Sequence, residues 1–441
     1  MIEFTPVLGV AHQAKFLFYV ALFPLIFYSF RFYIFGLLAP FMQKPRKWGE
    51  VPESELPFIT IQVPVYNDPM VGNCVKDCLA FDYPKNKYEI IVADDSNDPE
   101  TLKALESLKK LKRVRVLHRD NRKGFKAGAL NNALAQSKGD IILIFDADYR
   151  LQPNFLRRIV QPFHYDENIA FVQSRWGYSN PSENAVTRIA SMSYRSFHKC
   201  CLPVQVRMGS AIFCGSGGAI RRKVLEEVGG WNEDSITEDL DLSIKVLKEG
   251  YKQEYLSDLV AVGEVPHTLK GFVRQQQRWA YGTTAALIEY LDEIILSDKM
   301  RFLQKLDFAF LLSCFVMFPF VLGLVSSSMI ASSPWFGYKT FSIATTPAEF
   351  YSELVIGTHK LLAAVFDYET LVIFALSSGF VFATFIAAAM DRRYTDFLYL
   401  PFVFLFGLFV QVYGTISVFQ AVAGVKVGFY KTPKKSSGSI I

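Results

Sequence analysis

Apolar residues are distributed along this chain in two ways. From about residue 41 to 306 they come in short runs divided by amphipathic stretches, and on either side they come in long, nearly unbroken runs. The central pattern predicts strands over residues 58–65, 89–93, 114–117 and 141–145, with helices over 71–81, 99–111 and 127–136. Asp98 stands where an N-cap of the second helix belongs. Strands alternating with helices through right-handed crossovers give a parallel sheet whose polar loops gather at one edge. The fourth strand, Ile141 to Phe145, has the continuous apolar, β-branched character of a strand buried on both faces, and it stops abruptly at Asp146-Ala147-Asp148.

The flanking runs are long enough for a bilayer. Residues 16–40 exceed the ~20 residues that cross a ~30 Å hydrocarbon layer and carry no cleavage site, so they predict an anchor. Arg31, in its second half, is expected to snorkel toward the interface. Lys44, Arg46 and Lys47 come immediately after, which places the next segment in the cytoplasm by the positive-inside rule. Further spans are expected over 308–332, 371–390 and 397–423. Bringing the tail back to the cytoplasm then requires either that 351–366 cross as well, with Glu353, His359 and Lys360 facing a channel, or that one run be interfacial or re-entrant; the alternative for 351–366 is an amphipathic segment on the outer surface. Residues 271–295 read as an interfacial helix closing the cleft against the bilayer. The expected division is an N-terminal membrane helix (1–43), an α/β unit (44–264), interfacial helices (265–306), transmembrane helices (307–425) and a cytosolic tail (426–441).

Composition agrees with a multi-pass membrane protein whose α/β unit is cytoplasmic. Hydrophobic residues make up 51% of the 441, with 40 Phe, while charged residues still reach 20%. A net charge of +5 is too small, and its basic clusters too local, to imply a nucleic-acid partner. Six scattered cysteines form neither a disulfide framework nor zinc-type spacing, consistent with a reducing compartment.

Candidate chemistry sits at the strand ends, beyond which ligands bind in open α/β sheets. Asp68, Asp94, Asp95, Asp146 and Asp148 all fall there. Strand alternation would turn Asp146 and Asp148 to one side, a pair suited to Mg²⁺ or Mn²⁺ bound together with substrate phosphates. Arg122, Lys123 and Lys126 supply opposite charge, Lys126 opening a helix in a manner suited to phosphate. Neither GxxxxGK[ST] nor GxGxxG occurs in this unit, which argues against ATPase and dehydrogenase chemistry. Phe213-Cys214-Gly215-Ser216-Gly217-Gly218 lets backbone approach a ligand closely. Thr237-Glu238-Asp239 opens an amphipathic helix, with Thr237 a potential N-cap and its acids complementing the helix dipole or acting on substrate. Farther on, Arg278 could pair with a pyrophosphate, and Trp279 offers a flat face to a sugar ring or an interfacial anchor.

Together these residues resemble the inverting family 2 glycosyltransferases of GT-A fold, in the membrane-embedded processive branch of cellulose, mannan and hyaluronan synthases. The resemblance covers about residues 55–290, with the motifs in family order: Asp94-Asp95, Asp146-x-Asp148, Thr237-Glu238-Asp239, Gln275-x-x-Arg278-Trp279. DNRKGFKAGAL from Asp120, VQSRW from Val172 and FCGS from Phe213 are most similar to mannan synthase-like and cellulose synthase-like enzymes. In the tail, Phe429, Thr432 and Lys434 resemble an F-x-x-T-x-K gating motif.

The resemblance implies a fold class and a set of roles. The fold is an α/β GT-A cytosolic domain joined to an α-helical transmembrane region. Asp95 with Asp94 would bind the nucleobase or ribose, with Pro64, Tyr66, Lys126, Asp146, Gln275 and Arg278 also on the donor nucleotide. Asp148, with Asp146, would hold the divalent ion, and Asp239, beside Glu238, would be the general base. Phe213, Cys214, Gly215 and Trp279 would hold the acceptor. The implied activity is inverting, processive polymerisation of a β-glucan or β-mannan from UDP-glucose or GDP-mannose, with passage of the glycan across the membrane. The alternative is transfer of one sugar to a lipid acceptor.

Overall fold

All four apolar runs expected as parallel strands form them, and the alternation within the fourth shows why. A computed structural model describes residues 5–44, 46–320 and 378–425, with a few single positions beside them. Strand β1 is Ile59–Val65, β2 Tyr88–Asp94, β3 Val114–His118 and β4 Ile141–Ile144. Ile141 and Leu143 face one core with Ile61, Ile90 and Phe155, while Ile142 and Ile144 face another with Leu130, Phe171 and Phe213. A strand wedged between two helical layers has no polar face, so its sequence shows none.

Three further strands complete a seven-stranded sheet: β5 Ile169–Tyr178, β6 Gly218–Arg221 and β7 Lys252–Gly263. The order is β3-β2-β1-β4-β6-β5-β7, with β6 antiparallel to both neighbours and every other pairing parallel. The antiparallel β6 reverses the chain, so the Gly-rich segment just before it emerges at the same edge as the end of β4. Helices Val71–Leu79, Pro99–Leu108 and Phe125–Leu134 connect the parallel strands. The Asp98 side chain accepts from the Thr101 N–H at 2.9 Å, as an N-cap should.

Outside the sheet, helix Thr5–Met42 covers the predicted anchor. Residues Leu22–Met42 and Tyr394–Val422 are helical segments long and apolar enough to cross a membrane, and Gly379–Met390 is a shorter apolar helix. The exposed Phe23, Phe27, Ile34, Leu37 and Phe41 form an apolar face on the first of these. Arg31 corrects an expectation. It does not snorkel outward: it is 6% exposed, and its Nε donates to Asp307 Oδ1 at 2.7 Å. Asp307 Oδ2 also accepts from Gln205 Nε2 and Ser210 Oγ, so this carboxylate fastens the first helix to the sheet domain. Removing one member of a buried pair strands the other charge, at a cost of about 3–5 kcal/mol. Asp307→Ala should therefore lower the thermal midpoint more than the double change Arg31→Met/Asp307→Leu, measured by melting in detergent.

Helix Leu269–Leu296 contains the predicted interfacial segment and exposes Ile288, Ile295 and Leu296. Its Phe272 meets Phe406 of helix Leu400–Val422 at 5.2 Å between ring centroids. The segment 351–366, the last residues of 308–332 (from 327), and Phe429, Thr432 and Lys434 lie outside the described residues.

Candidate active site

Strand β4 ends at Ile144, two residues before the first aspartate. Asp146 to Tyr149 form a turn, the Tyr149 N–H donating to the Asp146 carbonyl at 3.1 Å. Strand alternation therefore does not reach Asp146 and Asp148, and their surroundings differ. Asp146 Oδ1 accepts from Lys126 Nζ at 2.9 Å, and its backbone N–H donates to Ser216 Oγ at 2.8 Å. Asp148 is buried, and its Oδ2 accepts from the Glu264 N–H at 2.8 Å.

Lys126 is where the motifs meet. Helix Phe125–Leu134 is entered through Gly124 in a left-handed conformation (φ 68°), which aims Lys126 into the cleft. Its ammonium lies 2.9 Å from Asp146 Oδ1, 3.0 Å from the Gly215 carbonyl and 3.6 Å from Glu238 Oε1. Burial alone would lower its pKa, but Asp146 and Glu238 outweigh that, and the net shift is upward. One fixed charge thus joins the turn after β4, the Gly-rich loop and the start of helix Glu238–Lys248.

Asp239 completes the group. Burial first, then the Glu238 charge, raise its carboxyl to about 6, against the lowering influence of Lys126 and Arg278. Gly215 has φ +76°, and a Cβ there would stand 2.7 Å from Asp239 Oδ2. Only glycine meets both demands. Gly215→Ala should reduce transfer at least tenfold with little change in donor affinity, read as a fall in kcat at near-constant donor KM. Thr237 departs from expectation: it precedes the helix, but its side chain caps nothing, and Leu240 N–H donates instead to Asp239 Oδ1 at 2.9 Å. Thr237 is pressed against Gly282, where an added Cβ would come within 2.3 Å of its Cγ2.

Gln275, Arg278 and Trp279 lie on one helix, started by Thr268, whose hydroxyl accepts from the Gly271 N–H at 3.1 Å. Tyr194 donates its hydroxyl to Gln275 Oε1 and packs edge-on to Trp279 at 5.4 Å. This helix is held to Glu238–Lys248 by Tyr290, which hydrogen-bonds Asp241 Oδ2. Phe213 is fully buried between Phe171 and Trp231, and Cys214 packs with Leu202 and Tyr255, so neither side chain opens broadly onto the cleft. The backbone at Gly215 is buried too, against Lys126 and Asp239.

At the far end of the cleft Asp94 and Asp95 have internal partners. Arg119 grips Asp95 through Nε and Nη2 at 2.7 and 2.6 Å. Asp94 accepts from the Ser96 N–H and His118 Nδ1 at 2.8 and 2.6 Å. Pro64, on β1 beside Ala93 of β2, and Tyr66 just beyond lead to the same end. The Arg122 guanidinium covers the Tyr66 ring at 3.4 Å from its centroid, so a base stacking on that face must displace it.

Sequence reading missed the residues that hold the Gly-rich loop. Gln173 accepts from the Cys214 N–H and donates to the Ser216 carbonyl, which also accepts from Trp176 Nε1. Ser243 accepts from the Phe213 N–H and donates to the Asp239 carbonyl. The stretch VQSRW contains Gln173 and Trp176, but only the pairing of β5 with β6 shows what they hold.

The chemistry of the acid pair fits a hard divalent cation. Among the described residues no group of three or more His, Cys, Asp or Glu side chains is placed to hold a metal. A site of two carboxylates, left to be completed by substrate phosphates and water, is the usual arrangement for Mg²⁺.

A GT-A-like sheet with these motifs at its ligand edge defines a nucleotide-sugar transferase class, and residues 141–410 match glycosyl transferase family group 2. The chain belongs to that family. It is 33% identical over 270 residues to glucomannan 4-beta-mannosyltransferase 2 of Arabidopsis thaliana, covering 58% of this chain and 50% of that protein. To glucomannan 4-beta-mannosyltransferase 1 of Oryza sativa subsp. japonica it is 31% identical over 275 residues, with 58% and 51% covered. The chain thus spans about half the length of these curated relatives. In fold it is similar to the mannosyltransferase PcManGT of Pyrobaculum calidifontis, solved with GDP-Man and Mn²⁺, at TM-score 0.53 and 20% identity, over 86% of this chain and 97% of that one.

Proposed function

We propose that this chain is an inverting, membrane-bound β-glycosyltransferase that extends a mannan-type polysaccharide from a nucleotide sugar. The observation carrying this reading is the convergence on Lys126: its ammonium joins Asp146, the Gly215 backbone and Glu238, with Asp239 beside them. Aspartates nearly a hundred positions apart share one pocket, which supports transfer at a diphosphate.

In this reading Asp239 accepts the acceptor hydroxyl's proton as the oxygen bonds to the anomeric carbon and the bond to the diphosphate breaks. A single displacement inverts the anomeric centre. Asp146 and Asp148 would hold Mg²⁺ or Mn²⁺, which neutralises the diphosphate when bound. Lys126 and Arg278 add fixed positive charge for the leaving group. The Arg119–Asp95 pair and Tyr66 receive the nucleoside. Gly215 and Trp279 position the growing end, Trp279 by its ring face.

A mannose donor is favoured by the named activity of the plant relatives. Residues 44–264 form the cytosolic catalytic unit, 1–43 and 307–425 the membrane region through which the glycan passes, and Phe429, Thr432 and Lys434 the gate in the tail. Incubating purified membranes with labelled GDP-mannose or UDP-glucose plus Mg²⁺ or Mn²⁺, then digesting with β-mannanase or β-glucanase, tests the assignment. A β-mannanase-sensitive polymer is expected. A single labelled glycolipid would replace the polymer reading with the lipid-acceptor one, and loss of product on chelation is expected in either case.

A further inference from the structure

Away from the catalytic cleft, a shallow cavity, partly open to solvent, lies where the first long helix ends. Its lining includes Met42 and Val206 on the apolar side and Lys44, Arg46, Arg207 and Glu254 on the polar side. Three cationic residues and one acidic residue thus line a common space. Glu254 as a residue is 9% exposed, and its Oε1 accepts from the Tyr255 N–H at 3.0 Å. Arg207 and Arg46 are near enough to act on it electrostatically, yet among the described residues no ion pair joins them to it. Both guanidinium groups are anchored elsewhere: Arg207 Nη2 donates to the Lys44 carbonyl at 3.2 Å, and Arg46 lies over the Trp48 ring at 4.3 Å. Charges of both signs held apart in this way suit a ligand that itself carries both.

Position selects the source of that ligand. Met42, at the lip of the cavity, is the last residue of the apolar segment Leu22–Met42. If that segment crosses a bilayer, as the proposed function requires, the cavity stands at headgroup depth. We propose that it holds the head of an aminophospholipid, its phosphate among Lys44, Arg46 and Arg207 and its primary ammonium against Glu254. Phosphate suits guanidinium donors. A primary ammonium brings N–H donors and a charge that offsets the burial of the carboxylate, whereas choline brings no N–H and glycerol no charge.

The full chain in phosphatidylcholine nanodiscs, doped with either phosphatidylethanolamine or phosphatidylglycerol, gives the test, with retained lipid counted by native mass spectrometry. Wild type should retain phosphatidylethanolamine over phosphatidylglycerol roughly tenfold, the discrimination expected of one charge-assisted contact. Glu254→Gln should erase that preference, and Arg207→Gln should lower retention of both lipids. Unaltered binding of the labelled nucleotide sugar certifies that each variant is folded. An unchanged preference in Glu254→Gln overturns the assignment. So does equal retention of free O-phosphoethanolamine, which would give the cavity to a soluble ligand. Alkaline carbonate extraction separates the two readings: release of the protein removes the membrane placement itself, whereas a retained protein without lipid selectivity removes only the cavity's occupant.

Discussion

Asp239→Asn should abolish sugar transfer, by about 10³-fold in kcat, while leaving nucleotide-sugar affinity within a few-fold of wild type. The amide keeps the shape beside Gly215 but cannot accept the acceptor's proton. Isothermal titration with the intact donor, set against turnover of the same preparation, separates the two quantities. In the wild-type protein the acid limb of kcat should rise through about pH 6, because the carboxyl must be ionised to act and its surroundings raise it to about 6. Stability should respond with the opposite sign. A carboxyl whose pKa is higher in the folded chain than in the unfolded one stabilises the fold while protonated in both states, below about pH 4. That contribution is lost as pH rises toward 6 and stays lost above it. Asp239→Asn removes the cost of the buried charge, so the variant should melt higher than wild type at pH 8, by about 1–2 kcal/mol after allowance for partial exposure. A variant that is inactive but no more stable would mean that the carboxylate is better solvated than its burial implies.

Lys126→Met should be nearly as damaging, and in a different way. Its loss leaves Glu238, with a side chain only 5% exposed, without the cation 3.6 Å away, and frees Asp146 and the Gly215 carbonyl from their common donor. Transfer should fall by about 10²–10³-fold, as expected when a preorganised charge is removed. The acid limb should also move upward from about 6, since Lys126 is the first of two cations holding Asp239 down. Lys126→Arg keeps the charge and should leave the limb in place. Profiles of kcat against pH for the three proteins decide the matter, and an unmoved limb in Lys126→Met would sink the electrostatic account.

Much of this site was legible because its residues stand at the ends of strands whose apolar runs are unambiguous. Ile141 to Ile144 read as a strand buried on both faces, and the residues just beyond the end of such a strand face the ligand edge. Strands β5 and β7 escaped because they are mixed in character: Gln173, Ser174 and Arg175 interrupt one, and Gln253, Glu254 and Asp258 the other. Gln173 and Ser174 are committed to the loop at Ser216 and Gly217, a purpose visible only once the partner strand is in place. Arg31 shows the same limit at longer range. Nothing near it in sequence indicates a partner, because its partner is 276 positions away. Thr237 failed as a cap because tertiary packing against Gly282 took precedence over local propensity.

The contact between Gly282 and Thr237 also has a mechanical meaning. Helix Leu269–Leu296 touches the apolar helix Leu400–Val422 through Phe272 and Phe406, and a few turns later its Gly282 backbone meets the Thr237 side chain, two residues before Asp239. Such a joint has almost no slack. If the apolar helix crosses a bilayer and Asp239 accepts the proton, as proposed, a tilt imposed by a thicker or thinner bilayer would reach that carboxylate as a displacement, and lipid chain length would set turnover while nucleotide affinity stayed where it was.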